Sequence, residues 1–576
     1  MGSKRMRKYY ALYKKQFILG PACKLTEAIL ELLVPLVMAR IVDVGIPNND
    51  VPYILKMGAL MVLLGAAGLG FAVVCQYCAA VAQQGVGTVL RRDLLHKIHT
   101  LSSADRAAFS NATLVTRITN DINQIQSGVA MLIRLVFRSP FLIAGSLVMA
   151  MALDLRMSVI FFTAGFIVSA IMYYVLSRSL PLYRKIQQKL DGLLRITGEN
   201  LSGVRVIRAF VRSRHETERF ADGNEKLTRV CMRVARLNAY LNPLTFAVIN
   251  LGIAALLVFG GYKVEAGSLT QGEIIALTNY MTQILLSIIV FANVIVVFTK
   301  AGASVDRVKE VLDAEPTMHE GAQHTFDEAA NAVEVRHVDF CFPDSEEKLL
   351  SDVDFTIRRG ETVGIIGGTG AGKSVLVNLL LRLYDVTGGE IRIFGRDVRD
   401  CTFAALRSAV HIVSQGSKLF QGTVRENLLC GKSGISQEDL QKALRIAQCD
   451  FVDKLPEGLD APVEEGGKNF SGGQRQRLCV ARALVGDPEI LIFDDSSSAL
   501  DYATDAHMRA AVSKELQGKT VLYVAQRVST VRAADKIILL DDGVVRGIGT
   551  HQTLYAENEL YREICDSQLS ESEAVS

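Results

Sequence analysis

An apolar run, Val363-Gly-Ile-Ile366, leads into Gly367, Gly368, Thr369, Gly370, Ala371, Gly372, Lys373, Ser374 and Val375. The spacing fits G-x-x-x-x-G-K-[ST], with Gly367, Gly372, Lys373 and Ser374 at the fixed positions. Glycines let successive backbone N–H groups turn inward around an anion, and a helix starting near Lys373 adds the positive end of its dipole. Lys373 then reaches the β- and γ-phosphates of a nucleotide, and the Ser374 hydroxyl is a Mg2+ ligand. A chance glycine turn can also match this pattern, so the surroundings have to decide.

Those surroundings hold more chemistry in a fixed order. Gln415 follows the β-rich run Ala409–Ser414, and Phe470-Ser471-Gly472-Gly473-Gln474 opens a helical stretch, Arg475 to Leu484. Ile490-Leu-Ile-Phe-Asp494 is an apolar strand ending in a carboxylate, with Asp495 next to it. Ser498-Ala-Leu-Asp501 follows, and a β-run, Thr520–Val524, ends at Ala525-Gln526-Arg527. Short β-rich and helical runs alternate from Ala332 onward, the pattern of an α/β domain. A serine opening a helix caps one N–H and leaves others free for an anion.

The elements upstream are of another kind. Apolar residues make up 49% of the 576, and the mean hydropathy is +0.25. The chain is too long for one domain. A net charge of +3 gives no argument for nucleic-acid binding. The ten cysteines form no disulfide-like framework, and Cys75-Gln-Tyr-Cys78 reads as two small side chains on one helix face. A basic N-terminus is followed by an apolar run to about Ile46. It is too long for a signal peptide and has no small-residue cleavage site, so it is expected to stay as a first span. Five more apolar stretches lie near 53–83, 129–152, 157–178, 243–264 and 273–299. Each is long enough, at ~1.5 Å per residue, to cross a ~30 Å hydrocarbon core. Six spans put both ends on one side, and the basic tail and long basic connections make that side cytoplasmic.

The connections Gln83–Gln126 and Ser179–Asn238 keep helical apolar periodicity without a Gly/Pro-rich linker. They read as spans continued into the cytosol, turning back through short transverse segments, with Leu114–Asp121 and Leu201–Phe210 in or near these hairpins. A docking surface for the nucleotide-binding half is expected there. Glu27 and Glu31 share a face of the first span, and Arg134 and Arg138 one of the third. Charges within spans are costly and default to function. Two readings stay open: a polar substrate cavity, or pairing and snorkelling near the cytosolic leaflet.

Taken together, six spans followed by P-loop, S-G-G-Q and an apolar strand ending in Asp494 resemble an ATP-binding cassette (ABC) exporter half-transporter. The likeness covers nearly the whole chain. It implies an all-α six-helix transmembrane domain of the type I exporter, or type IV ABC, fold over residues 1–305, and a connector over 306–331. An α/β nucleotide-binding domain over 332–563 and an acidic tail over 564–576 follow. It also implies ATP and Mg2+ as ligands, a second half-transporter as partner, and the plasma membrane of a bacterium, with both termini cytoplasmic. Carried over residue by residue, Phe342 matches the aromatic that stacks on adenine, where tyrosine is commoner. Asp494 matches the Walker B carboxylate on Mg2+. Gln415 resembles the Q-loop residue that reaches metal and attacking water. Ser471, Gly472, Gly473 and Gln474 match the signature that faces the nucleotide held by the other subunit. Asp501 resembles the D-loop aspartate at the contact between subunits, and Glu465 the X-loop glutamate.

Two positions depart from the family pattern. Where the general base is normally glutamate, this chain has Asp495, one methylene shorter. Where the switch residue is normally histidine, it has Gln526, whose amide donates a hydrogen bond but cannot carry imidazolium charge. With its own signature intact, the chain is expected to be one subunit of a heterodimeric exporter. Its own ATP site is then slow, and its Ser471–Gln474 completes the partner's fast one. A slow homodimeric lipid or drug exporter is the alternative. An ATP-gated channel is a remote one, since the fused architecture and regulatory region of that branch are missing. An amphipathic substrate is expected; drugs, lipids and peptides stay open.

Overall fold

The computed structural model describes residues 4–573 apart from 328, 343–344, 346 and 497–499, with side chains from residue 8 to 568. Pro343, Ser498 and the end of the acidic tail thus lie outside the described residues. The chain forms two compact units, Met1–Ile98 with Ala112–Ala314, and His99–Asn111 with Glu315–Ser576.

The first unit is helical. Among the described residues, five of its helices are long and apolar enough to cross a membrane: Val51–Thr100, Asn111–Leu153, Ser158–Ser202, Ser213–Glu265 and Gln271–Asp313. A sixth, Lys14–Arg40, has 27 residues but carries Lys24, Glu27 and Glu31 within its apolar run. In chain order we call these helices α1 (Lys14–Arg40), α2 (Val51–Thr100), α3 (Asn111–Leu153), α4 (Ser158–Ser202), α5 (Ser213–Glu265) and α6 (Gln271–Asp313). At ~1.5 Å per residue, the 50-residue α2 is more than twice as long as a ~30 Å core requires. The chain past the first ~20 apolar residues of α2 continues as unbroken helix. It turns through two short segments, Ser103–Phe109 and Val204–Ala209. Leu114–Asp121 lies on the returning helix, ending in a π-helical turn, Arg117–Asp121.

Polar side chains tie this bundle at particular levels. Asp43 accepts from the Thr270 hydroxyl at 2.6 Å and from the Gly272 N–H at 2.7 Å, so the end of the first span is fixed to the start of α6. Lys263 pairs with Asp154. On the returning helix, buried Asp121 accepts from Ser304 at 2.9 Å and from Arg307 Nε at 3.0 Å, while Arg117 reaches Glu310 at 2.9 Å. These last contacts explain a boundary that differs from expectation. The polar stretch after Lys300, read as the start of a connector at 306, is helix through Asp313. Its charged residues face partners on α3 rather than loosening the chain.

Among the described residues the second unit holds two large sheets and a two-stranded one, Gly422–Thr423 with Pro462–Val463. The large antiparallel one contains β1 (Val333–Phe340), β2 (Leu350–Ile357), β4 (Gly388–Ile393) and the short strand Arg396–Asp397, in the order β2-β1-β4-Arg396–Asp397. The six-stranded sheet contains β3 (Thr362–Ile366), β5 (Val410–Val413), β6 (Ile490–Asp494), β7 (Thr520–Ala525), β8 (Lys536–Asp541) and β9 (Val544–Gly549), in the order β9-β8-β3-β7-β6-β5. All neighbours are parallel except β8 and β9. Every residue of β6 and β7 is buried, which is why these strands read as continuous apolar runs rather than alternating ones. Residues expected to form a linker are tied to this unit: Gln323 N–H donates to the Asp400 carbonyl at 2.9 Å and Gly321 N–H to that of Cys401 at 3.2 Å.

The first hairpin tip clusters with this second unit. Ser102 caps Ser103–Phe109 in a reciprocal box with Asp105, and the Asp105 carboxylate also accepts from Thr317 N–H at 3.2 Å. Burial pushes the Asp105 carboxyl up, but the bonds from Ser102 and Thr317 outweigh it and leave it below the usual carboxylate range.

Candidate nucleotide site

The parallel register gathers the chemical residues at one sheet edge. Ala525 is paired with Ile366, Val524 with Asp494 and Val413 with Phe493. The residues that follow these strand ends, Gly367, Gln526, Asp495 and Gln415, therefore leave the sheet along its carboxyl edge, where α/β sheets bind ligands. Distant positions in the sequence become neighbours because parallel strands end together.

Local conformation explains the glycines. After β3 the loop has Gly370 at φ +88° and Gly372 at φ +94°, a region L side chains rarely adopt. Gly367 is constrained differently: a Cβ there would run into the Leu540 carbonyl oxygen of the neighbouring strand. The loop opens α7 (Lys373–Leu380), with Ser374 and Val375 in its first turn. Lys373, only 9% exposed, donates to the carbonyls of Gly367 at 2.7 Å and Gly368 at 2.6 Å. Burial pulls its ammonium below the ordinary range, opposed by the charges of Asp495 and Asp494.

Asp494, also 9% exposed, is held above the usual carboxylate range by burial and then by Asp495, with Lys373 opposing. A buried carboxylate beside a half-buried one, at the mouth of a glycine-rich loop, suits a hard divalent cation. The oxygens of Ser374, Asp494 and Gln415 are the right donor chemistry for Mg2+. Asp495 sits at φ +45°, with its N–H on the Val524 carbonyl at 2.8 Å. Gln415 Nε2 lies 3.4 Å from its Oδ2. The structure thus brings Gln415 onto Asp495. Gly367, Gly368, Thr369 and Gln526 line one open cleft of about 1730 Å3.

Phe342 is 37% exposed, and its ring packs edge-on against Phe340 and Tyr384, with centroids 5.2 and 5.5 Å away. Tyr384 is a support that no sequence motif marks. Ser471 begins α8 (Gly472–Leu484): its hydroxyl accepts from Gln474 N–H at 3.2 Å, and the Gln474 side chain accepts from Ser471 N–H at 2.9 Å. The helix thus starts at Gly472 rather than Arg475. Asp501 caps α9 (Tyr502–Glu515), accepting from Thr504 N–H at 2.9 Å and its hydroxyl at 2.8 Å. Glu465 lies in a short 3-10 turn ahead of the signature.

Further links were not visible in the sequence. Ser417, just after Gln415, hydrogen-bonds buried Gln476 of α8. His411 on β5 bonds the Ala483 carbonyl at the far end of that helix at 2.6 Å. Both join the Gln415 strand to the signature helix, and neither belongs to a short motif.

In the helical unit, Glu31 pairs with Arg138 at 2.6 Å and Glu27 with Lys24 at 2.6 Å. The Nε of Arg134 is buried and makes no hydrogen bond among the described residues. The four charges are thus not one cluster of free groups. Two of them form a bridge between α1 and α3.

Comparisons with known proteins agree with this division. Residues 17–288 match the family described as ABC transporter transmembrane region, and residues 350–498 match that described as ABC transporter. An uncharacterised ABC transporter ATP-binding protein of Mycobacterium tuberculosis is 35% identical over 98% of this chain and 97% of its own. An ATP-dependent lipid A-core flippase of Syntrophus aciditrophicus is 30% identical over 99% of this chain and 94% of its own. Among solved structures, a bacterial Atm1-family ABC exporter with ATP bound aligns at TM-score 0.78 and 24% identity, covering 98% of each chain. That likeness carries the fold.

Proposed function

We infer the working arrangement from one established premise: the chain belongs to the ABC transporter family. It is a multi-pass plasma-membrane exporter subunit with an ATP-binding domain, and such exporters act as dimers in the bilayer. Beyond this, we propose that it is one half of a heterodimer exporting an amphipathic substrate, and that its own ATP site is the slow one.

The observation that carries this reading is Asp495. Its backbone is fixed by the bond to Val524 and its carboxylate lies at Gln415, so a side chain one methylene short ends about 1 Å from where a glutamate would act. Misplacement on that scale costs on the order of 10²-fold in rate. Gln526 supports the same reading, since a neutral amide stabilises γ-phosphate charge less than an imidazolium. The signature turn, by contrast, keeps its reciprocal Ser471–Gln474 cap and leaves Ser471 and Gly472 exposed.

In this scheme Lys373 and the loop N–H groups hold the triphosphate, Phe342 stacks on adenine and Gln526 donates to the γ-phosphate. Asp494, Ser374 and Gln415 would hold Mg2+, which neutralises charge building on the transferred phosphate. Asp495 takes the proton of the attacking water slowly. Ser471–Gln474 serves the partner's nucleotide, and closure around both ATP molecules drives alternating access. The Glu31–Arg138 bridge and Arg134 are proposed to line the polar part of the transport path, with Glu27 near them on α1. The second hairpin tip, with Val206, Phe210 and Val211 exposed, is proposed to dock on a nucleotide-binding half. The relative called a lipid A-core flippase favours a lipid-like substrate.

Purification of the chain alone and with its copurifying partner tests the proposal through ATPase activity. Slow turnover alone and fast, substrate-stimulated turnover of the pair are expected. Robust turnover of the chain by itself would refute the heterodimer.

A further inference from the structure

We propose that Gln568, on the C-terminal helix, is a positioning residue for Gln526. The sheet ladder on β7 ends at Ala525, so Gln526 and Arg527 lie beyond the last strand pair. The next element, Val528–Val531, is a helix of a single turn. The Gln568 carboxamide bridges this gap. Its Oε1 accepts from Val528 N–H at 2.8 Å, and its Nε2 donates to the Gln526 carbonyl at 2.9 Å. One amide thus continues across the loop the backbone pairing that the sheet no longer supplies. Only glutamine offers an acceptor and a donor at this reach from the helix.

The helix carrying it, Glu559–Glu573, is anchored firmly enough to act as a fixed frame. Tyr561 and Cys565 are buried in the same core as β7 and Val531. The Tyr561 hydroxyl is 2.9 Å from His551 Nδ1, and Tyr555 donates to Asp566 at 2.9 Å. Gln526 and Gln568 line the same cleft as Gly367 and Thr369 of the phosphate loop. The clamp therefore sets the direction in which the Gln526 side chain leaves the backbone, on the cleft shared with the glycine-rich loop. The Gln568 side chain need not touch nucleotide for this.

The inference rests on the reading of Gln526 as the γ-phosphate donor, and one experiment separates the two. ATP and ADP affinities of the full chain in lipid nanodiscs are measured by competition with a fluorescent nucleotide. Gln526→Ala tests the reading, since it should weaken ATP while leaving ADP within about twofold. Gln568→Met keeps the volume and removes both hydrogen bonds. It should weaken ATP about three- to tenfold with ADP unchanged, and add nothing further in the Gln526→Ala background. If Gln526→Ala leaves the ATP-to-ADP ratio unchanged, the reading of the switch fails. If Gln526→Ala changes the ratio but Gln568→Met leaves ATP affinity unchanged, weakens both nucleotides equally or adds fully to Gln526→Ala, the clamp is overturned.

Discussion

Lengthening one side chain offers a direct test of why this ATP site is proposed to be slow. In Asp495→Glu the added methylene advances the carboxylate by about 1 Å or a little more. The backbone cannot retreat to absorb this, because Asp495 N–H is bonded to the Val524 carbonyl in the buried sheet. The new carboxylate therefore extends further toward Gln415, whose Nε2 already lies 3.4 Å from the shorter side chain. Recovering the productive geometry is worth on the order of 10²-fold in rate, equivalent to about 2.7 kcal/mol of barrier. A cost runs the other way, since residue 495 sits at φ +45°, which aspartate tolerates better than glutamate. That cost, about 1 kcal/mol, is shared by ground and transition states. It lowers the unfolding temperature and leaves kcat alone. The assay is steady-state ATP hydrolysis by the full chain at concentrations where it self-associates, so that its own Ser471–Gln474 faces the altered site. The expected result is a rise in kcat near 10²-fold with little change in KM, because the base acts on water in the transition state. Equal kcat for the wild type and Asp495→Glu would refute the argument that side-chain length limits this site.

In the heterodimer, Ser471→Arg should abolish most turnover by blocking the partner's site, whereas Asp495→Asn should leave most of it; equal losses would invert the assignment of the two sites. Mg2+-dependent ATP binding should fall on acidification at a higher pH than an ordinary carboxylate would give, because burial and Asp495 raise the Asp494 carboxyl and metal needs it ionised. Asp495→Asn removes one of those causes and should move the binding midpoint to lower pH, read by nucleotide titration across a pH series. Asp121→Asn should lower the unfolding free energy by about 1–3 kcal/mol, read by thermal unfolding in detergent. Burial raises the Asp121 carboxyl, but the bonds from Arg307 and Ser304 prevail and hold it below its ordinary value. The stabilisation is thus present above the unfolded pKa and fades as pH falls through the folded one, so the difference between variant and wild type should shrink in acid.

The amino-acid sequence by itself determined the two-part organisation, since both halves write their environment in composition. Spans facing lipid must be long and apolar, and β6 and β7, buried on both faces, must be continuous apolar runs. It also marked the residues proposed for the nucleotide site, because Gly370 and Gly372 need φ values that only glycine adopts cheaply and Ser471 needs Gln474 three residues on. The departures at Asp495 and Gln526 were equally legible, as they occupy fixed places in a local pattern. Only the tertiary structure decided the rest. It extended helix α6 to Asp313, where sequence polarity suggested a connector, because Asp121 and Arg117 on another helix satisfy the charges of Arg307 and Glu310. Among the in-span charges it paired Glu31 with Arg138 on another helix. It also brought Gln568 to the loop of Gln526 and Ser417 to Gln476. Contacts of this kind depend on which helices and strands lie side by side, and a pairing between residues dozens to hundreds apart leaves no local spacing to read.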